Sequence, residues 1–288
     1  MATTYPVLRW QVGDVRISRV VESEGPTPIG FLFPDFGPER ILRHAWLRPS
    51  FLGEDGKLLT SIHAFVLESG GRRIVIDTCV GNDKQRPVPN WNLRQGRFLE
   101  DLAEAGYARE SIDCVLCTHL HVDHVGWNTM LVEGRWAPTF PKARYLFARK
   151  EYEFWSKAEG ANERTIQQDS VQPILDAGLA ELVEMAHAIT PEVKLEPTPG
   201  HTPGHVSVRI SSRGSEAVIT GDVMHHPAQC ADLELRTRFD VDAAAARRMR
   251  REFLEKYKDG KVLVLGTHFA SPTAGRILRD GVAFRFAC

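Results

Sequence analysis

The chain has 288 residues, of which 43% are hydrophobic and 25% charged, and its net charge is −1. This balance argues against a nucleic-acid or membrane-surface partner, and no apolar run has the length of a membrane span or a signal peptide. Five scattered cysteines argue against a disulfide framework. We expect one cytoplasmic domain over residues 1–288 that binds a small-molecule substrate and pairs, as a homodimer, with a second copy of the chain.

Strand patterns dominate the first third of the chain. Runs of β-branched and apolar residues predict strands over residues 15–21, 62–67 and 73–76. Gly70-Gly71 predicts a hairpin between the last two. Residues 24–56 are rich in Pro, Gly and Phe and predict a loop excursion over the site or a subunit interface. A helix is predicted over residues 95–105 and a short apolar strand over 114–117.

The remainder alternates strands and helices, which is typical of an α/β fold. Strands are predicted over residues 145–148, 193–195, 206–210, 217–220 and 261–265. Helices are predicted over residues 150–157, 165–177 and 241–258. Asp240 is the expected N-cap of the last helix, and Asp259-Gly260 is its expected end.

Residues 118–124 read Thr-His-Leu-His-Val-Asp-His and follow an apolar strand. Imidazole and carboxylate are ligands that zinc prefers. His119 and His121 stand two apart, so an extended segment projects them to the same side. Asp123 and His124 are adjacent, and their side chains are expected to point towards a second position next to that of the histidine pair. The spacing therefore predicts a loop that serves two metal ions.

Further ligand-type side chains lie just beyond predicted strands. Asp77, Asp222 and His268 do so, as His119 does, and His201 lies in a Pro-Gly-His turn. Strand ends are where α/β sheets and sandwiches build sites from their loops. Each residue alone has an ordinary structural role open to it, such as a turn histidine or a capping aspartate. Their combination indicates a metal site.

These motifs, in this order from Ile76 to His268, resemble those of the metallo-β-lactamase superfamily. The resemblance implies an αββα sandwich of two mixed sheets flanked by helices. It also implies the ligands of the first metal (His119, His121 and His201), those of the second (Asp123, His124 and His268), and Asp222 as a bridge between the two. Asp77 would hold the ligand loop from behind, although Cys79 stands where the family has glycine, and His205 would be structural.

The constellation predicts hydrolytic chemistry. Two divalent ions lower the pKa of a shared water, and the resulting hydroxide attacks a carbonyl or phosphoryl centre while the metals stabilise the oxyanion and leaving group. Asp123 would orient the nucleophile or carry its proton. We expect two Zn²⁺ per chain, with Fe or Mn left open by the ligand types.

The layout resembles the lactonase and methyl-parathion-hydrolase branches most. His225 stands where acyl-homoserine lactonases carry a tyrosine that helps to bind the carbonyl, so it is a candidate proton donor or substrate contact. A solvated loop is the alternative for His225 and His226. The leading hypothesis is a hydrolase of a small ester, lactone or related amide. A phosphotriesterase, a thioesterase, an iron-dependent oxidoreductase and a silent binding protein are the alternatives.

Two groups of residues are candidates for substrate contact. Aromatic side chains in unassigned loops would line a pocket or pack in the core: Phe31, Phe33, Phe51, Trp91 and Trp127. The polar loop 81–86 follows Asp77, and its Lys84 and Arg86 would meet an acidic substrate or remain solvated.

Overall fold

In the computed structural model, which describes residues 4–288, two large β-sheets pack face to face. The strands are β1 (Leu8–Val12), β2 (Val15–Thr27), β3 (Leu58–Ser69), β4 (Arg72–Ile76), β5 (Cys114–Cys117), β6 (Thr129–Val132), β7 (Arg135–Pro138), β8 (Arg144–Ala148), β9 (Ala180–Val183), β10 (Val193–Pro197), β11 (Val206–Ser212), β12 (Ser215–Ile219), β13 (Leu263–Leu265), β14 (Ala274–Asp280) and β15 (Ala283–Ala287). The helices are α1 (Ile29–Leu32), α2 (Glu39–Leu42), α3 (Phe98–Glu104), α4 (Val122–Val125), α5 (Arg149–Trp155), α6 (Ala161–Ile166), α7 (Gln172–Asp176), α8 (Ala228–Ala231) and α9 (Ala243–Tyr257).

Both large sheets are mixed. The first has the order β1-β2-β3-β4-β5-β8-β9, antiparallel from β1 to β4 and parallel from β4 to β9. The second has the order β10-β11-β12-β13-β14-β15, and its β12 and β13 run parallel. Parallel neighbours end at the same edge, so the loops after β4, β5 and β8 meet there, as do those after β12 and β13.

Apolar side chains form three buried layers. The middle layer joins the sheets through residues such as Ile76 and Leu116 of the first and Val208 and Ile219 of the second. Helices α3 and α7 cover the outer face of the first sheet, and α8 and α9 cover that of the second. The αββα prediction is confirmed, and the single-domain boundary stays a prediction.

Residues 24–56 differ from the predicted loop at their start. Strand β2 runs on to Thr27 through an irregularity between Val21 and Ser23, because it keeps pairing with the similarly long β3. Beyond it the chain forms short helical segments followed by a turn, and Leu47, Phe51 and Leu52 in this region are buried. The segment therefore combines a strand, a core contribution and, as described below, one wall of a pocket.

Other element boundaries also moved. The helix predicted over residues 165–177 is α6, a π-helical stretch at Gln167–Val171, and α7. Asp240 is not the N-cap of the last helix: Asp242 caps it by accepting from the backbone N–H of Ala245 at 2.9 Å. The hairpin at Gly70-Gly71 is confirmed, with both residues at positive φ. Within residues 4–288, no helix combines the length and the apolar character needed to cross a bilayer.

Candidate metal centre

The predicted ligand run leaves the end of β5 and changes conformation halfway. His119 and His121 lie in the irregular segment after Cys117, whereas Asp123 and His124 lie in the single turn of the short helix α4. This change turns the second pair towards a different point from the first. The structure groups His119, His121, His201 and Asp222, and separately Asp123, His124 and His268, with ligand atoms within 4.8 Å of one another in each group.

The first group, which we call the three-histidine half, is built from both sheets. His119 Nε2 lies 3.0 Å from His121 Nδ1 and 3.2 Å from His201 Nε2, and the latter two atoms lie 2.9 Å apart. A ring nitrogen either donates or accepts, so three mutual contacts cannot all be hydrogen bonds. Two nitrogens on a tetrahedral zinc are about 3.3 Å apart for Zn–N bonds of about 2.0–2.1 Å. The triangle thus fits a shared cation.

The second group, the mixed half, contains two imidazoles and a carboxylate. His124 Nε2 and His268 Nε2 lie 3.2 Å apart, and Asp123 Oδ2 lies 3.6 Å from His268 Nε2. Asp222 faces both halves. Its Oδ2 lies 3.4 Å from both His201 Nε2 and His124 Nε2, and its Oδ1 lies 3.2 Å from His268 Nε2. Asp222 therefore lies between the two groups, within 3.4 Å of a ring nitrogen of each.

Carboxylates behind the ligands fix their rings. Asp77 Oδ2 lies 2.9 Å from His124 Nδ1, and the same carboxylate accepts from the backbone N–H and hydroxyl of Thr118. Asp240 Oδ1 lies 2.9 Å from His201 Nδ1. Such partners set the tautomer and basicity of a ligating histidine. Asp240 was missed in this role because, next to a helical pattern, an aspartate reads as an N-cap.

Glu22, which no motif marked, holds two loops near the centre together. Its buried carboxylate accepts from the backbone N–H groups of Val80 and Gly81, each at 3.0 Å, and from the indole of Trp127 at 2.8 Å. These donors belong to the loop after Asp77 and to the segment after His124. Burial raises the pKa of Glu22, against the lowering effect of Arg94 and the three donors.

The two halves have opposite electrostatics. Burial, together with neighbouring imidazoles, holds the pKa values of His119 and His121 well below their usual value. Burial acts the same way on His124 and His268, but the charges of Asp222 and other carboxylates outweigh it, raising the pKa of His268 to about 9 and that of His124 well above 6.5. The pKa of Asp222 is lowered well below 3.8, since the surrounding histidines outweigh its burial.

A pocket of about 1080 Å³ opens onto the centre. His121, Asp123, Asp222, His225 and His268 line its floor. Phe31 and Trp91 meet edge to face at 6.3 Å between ring centroids, and Phe31 lies 5.6 Å from Phe239, which continues this aromatic wall to His225.

The candidate substrate contacts divide into two sets. Phe31 and Trp91 line the pocket, whereas Phe33, Phe51 and Trp127 are buried in the core. Lys84 and Arg86 are neither solvated nor at the pocket, so both interpretations of the 81–86 loop were wrong. Lys84 Nζ lies 3.6 Å from Asp169 Oδ1, and Arg86 binds both oxygens of the same carboxylate. Asp169, more than eighty residues away in the sequence, pairs with both side chains and so allows them to be buried.

Three histidines next to the two halves, His205, His225 and His226, are buried. His225 Nε2 lies 3.1 Å from Asp222 Oδ2, and its ring stacks on that of His268. His226 Nε2 lies 2.8 Å from the Phe51 carbonyl oxygen, and His205 Nε2 accepts from the backbone N–H of Asp222 at 2.7 Å. The solvated-loop alternative for His225 and His226 is thus wrong, and His205 has the structural contact that was expected.

Comparisons with known proteins agree with this architecture. An N-acyl homoserine lactonase of Bacillus cereus is 28% identical over 180 residues, covering 57% of this chain and 64% of that enzyme, less than two thirds of its length. A solved hydrolase of the β-lactamase superfamily, AbOPH, superposes with a TM-score of 0.82 and 25% identity over 99% of this chain and 98% of its own. The dizinc quorum-quenching lactonase AidC, solved with a product, has a TM-score of 0.80 at 19% identity over 97% and 96% of the two chains.

The family assignment rests on the sequence itself. The family profile described as the metallo-beta-lactamase superfamily matches residues 59–268, which include both groups of candidate ligands. The relatives are lactonases and hydrolases, in agreement with the predicted class of metal-dependent enzyme. This chain belongs to the metallo-beta-lactamase superfamily.

Proposed function

We propose that this chain is a zinc-dependent hydrolase that opens a lactone or cleaves a small carboxylic ester with an apolar acyl or aryl part. The observation that carries the proposal is the pair of ligand groups, with Asp222 within 3.4 Å of ring nitrogens of both, at the floor of a largely apolar pocket of about 1080 Å³. The seven candidate ligands are five imidazoles and two carboxylates, a set suited to zinc.

When bound, two divalent ions acidify water and polarise a carbonyl, which hydrolysis at neutral pH requires. The chain's own residues would do the rest. Asp123 lines the pocket and makes only long contacts, 3.6 and 3.8 Å, to the neighbouring histidines, so its carboxylate is free to orient the attacking water. The aromatic wall of Phe31, Trp91 and Phe239 would bind the apolar part of the substrate and exclude bulk water.

His225 is proposed as a substrate contact that carries a proton. Its Nε2 lies 3.1 Å from Asp222 Oδ2, and its ring lies between Phe239 of the pocket wall and His268 of the mixed half. Burial lowers its pKa, so the ring is neutral near pH 7 and can accept or return one proton during acyl transfer.

The proposed substrate class is supported by a relative described as an N-acyl homoserine lactonase and by a structural neighbour described as a quorum-quenching lactonase in complex with a product. The direct test is a rate screen of lactones, aryl esters, thioesters, β-lactams and phosphotriesters on protein reconstituted with two equivalents of zinc. We expect lactones or aryl esters to be hydrolysed fastest. Turnover of phosphotriesters alone would move the assignment to a phosphotriesterase, and no turnover with two bound zinc ions would refute hydrolysis.

The metal and His225 have separate tests. Elemental analysis of protein purified without added metal should give about two zinc ions per chain, whereas a single iron would favour the oxidoreductase alternative. His225→Ala should lower kcat about 100-fold or more with zinc content unchanged. Unchanged rates across all substrates would remove His225 from the reaction. The homodimer remains a prediction that a sedimentation measurement would decide.

A further inference from the structure

Glu151 is a buried carboxylate beside the centre that no motif singled out. It is the third residue of α5, which follows directly on β8, and it is only 1% exposed. Strand β8 is the parallel neighbour of β5 on the side opposite β4. Glu151 thus stands beyond one neighbour of β5, as Asp77 stands beyond the other.

The contacts of Glu151 join two ligand-bearing loops. Its Oε1 accepts from the backbone N–H of Leu120 at 3.1 Å, and its Oε2 accepts from that of Gly204 at 2.9 Å. Leu120 lies between His119 and His121, and Gly204 lies in the turn that carries His201. A Cβ on Gly204 would stand 2.2 Å from the backbone nitrogen of Glu151, so the turn lies directly against α5.

The same carboxylate also orients an aromatic ring beside the centre. Trp155 donates its indole N–H to Glu151 Oε1 at 2.6 Å. The Trp155 ring packs edge to face on His121, with centroids 5.2 Å apart, and lines the pocket. Each histidine of the three-histidine half is therefore next to a group that Glu151 holds.

Asp77 and Glu151 make comparable contacts to the loop that carries His119. Asp77 accepts from the backbone N–H of Thr118 at 2.7 Å, and Glu151 accepts from that of Leu120. The two carboxylates lie beyond the strands on either side of β5, and they bind the same loop at the residues immediately before and after His119. Asp77 also contacts His124 of the mixed half, whereas Glu151 reaches the His201 turn.

We propose that Glu151 is a positioning residue for the three-histidine half: it aligns the His119–His121 segment with the His201 turn so that their ring nitrogens meet at one point. This inference rests on the proposed metal-dependent function. An amide could not replace the carboxylate, because Glu151 accepts at both oxygens. A glutamine would place its NH₂ group either at the position that faces Leu120 and Trp155 or at the position that faces Gly204. In each case the N–H groups at that position would lose their acceptor.

The test isolates each half. His268→Ala removes a ligand of the mixed half only, and His201→Ala removes a ligand of the three-histidine half only. Glu151→Gln is introduced into both backgrounds, with zinc affinity measured by competition with a chelator. In the His268→Ala background we expect affinity to fall about 10- to 100-fold, the usual effect of losing a group that orients a ligand. In the His201→Ala background it should change by less than about twofold.

The matched control is Glu153→Gln, the same substitution on the exposed face of α5, which should leave both affinities unchanged. Cobalt absorption spectra of the His268→Ala pair give a second readout, because a displaced ring changes the band positions. Equal losses in both backgrounds, or no loss in either, would overturn the proposal. Failure of the otherwise unaltered chain to bind zinc would instead refute the proposed function.

A second variant covers the case in which Glu151→Gln does not fold. Trp155→Phe keeps the carboxylate and removes one of its donors. We expect a smaller loss of affinity, about threefold to tenfold, again confined to the three-histidine half. Unchanged affinity and an unchanged cobalt spectrum in this variant would overturn the proposal as well.

Discussion

Asp222 lies between the two halves of the candidate metal centre, but the histidines of the two halves differ in their pKa values. In the three-histidine half, burial and the neighbouring imidazoles keep the pKa values of His119 and His121 well below their usual value. In the mixed half, Asp123 and Asp222 lie close to His268, and the pKa of that ring rises to about 9. One half is prepared to donate lone pairs at neutral pH, whereas the other holds protons that a metal must displace.

This difference shows that nearby carboxylates can give histidines of the same metal centre very different pKa values. Metal ligands must be deprotonated, so a half with bound protons takes up its ion in exchange for them. We therefore expect ordered loading at neutral pH, with the three-histidine half filled first. The following predictions test that order, beginning with the change that would abolish the distinction.

Asp222→Asn should produce the largest effect. The amide loses the charge that faces both halves, so we expect zinc affinity in each to fall about 100-fold or more, with turnover reduced to background. Elemental analysis and a rate assay on the same preparation would measure this. Two tightly bound zinc ions with full activity would show that Asp222 is not shared.

The pH dependence of zinc affinity should separate the halves. In the metal-free protein, the charges of Asp222 and the other carboxylates raise the pKa of His268 to about 9 and that of His124 well above its usual value, so zinc binding at pH 7 should displace a proton from this half. Affinity in the His201→Ala background should therefore increase with pH up to about 9, about tenfold per pH unit for each proton displaced. In the His268→Ala background, where His119 and His121 are already neutral, a much shallower slope is expected above pH 7. Equal slopes would contradict the comparison.

Asp240→Asn should have a smaller and one-sided effect. The amide no longer accepts from His201 Nδ1 as a carboxylate does, so we expect about a tenfold loss of zinc affinity in the three-histidine half alone. Asp242→Ala is the neighbouring control. It removes the N-cap of α9 and should cost about 1 kcal/mol of unfolding free energy without changing zinc affinity. An equal effect of both variants on affinity would remove Asp240 from the centre.

Local sequence carried most of the information about this centre. The His119–His124 run sets its own geometry, because a histidine pair in an irregular segment followed by one short helix directs four side chains towards two points. The Gly-Asp and Gly-Thr-His motifs fall where β12 and β13 end, and neighbouring parallel strands bring such ends together.

What the sequence could not give depends on contacts between distant residues. Asp240 and Asp242 are equally good caps by local criteria, and only the approach of the His201 turn draws Asp240 into the centre. Lys84 and Arg86 lie in a polar stretch that reads as solvated, yet Asp169 buries both. Their partners have no fixed spacing along the chain, so no local pattern reveals them.

The candidate ligands come from loops of both sheets, which has a consequence for the stability of the protein. His119 and His124 follow β5 of the first sheet, while His201, Asp222 and His268 belong to loops of the second. A bound ion in either half is therefore a cross-link that ties one sheet to the other at the pocket edge. Binding to the native state alone adds about 4 kcal/mol of stability when free ligand is a thousandfold above Kd. A chain without metal would lose this cross-link and the stability that it adds.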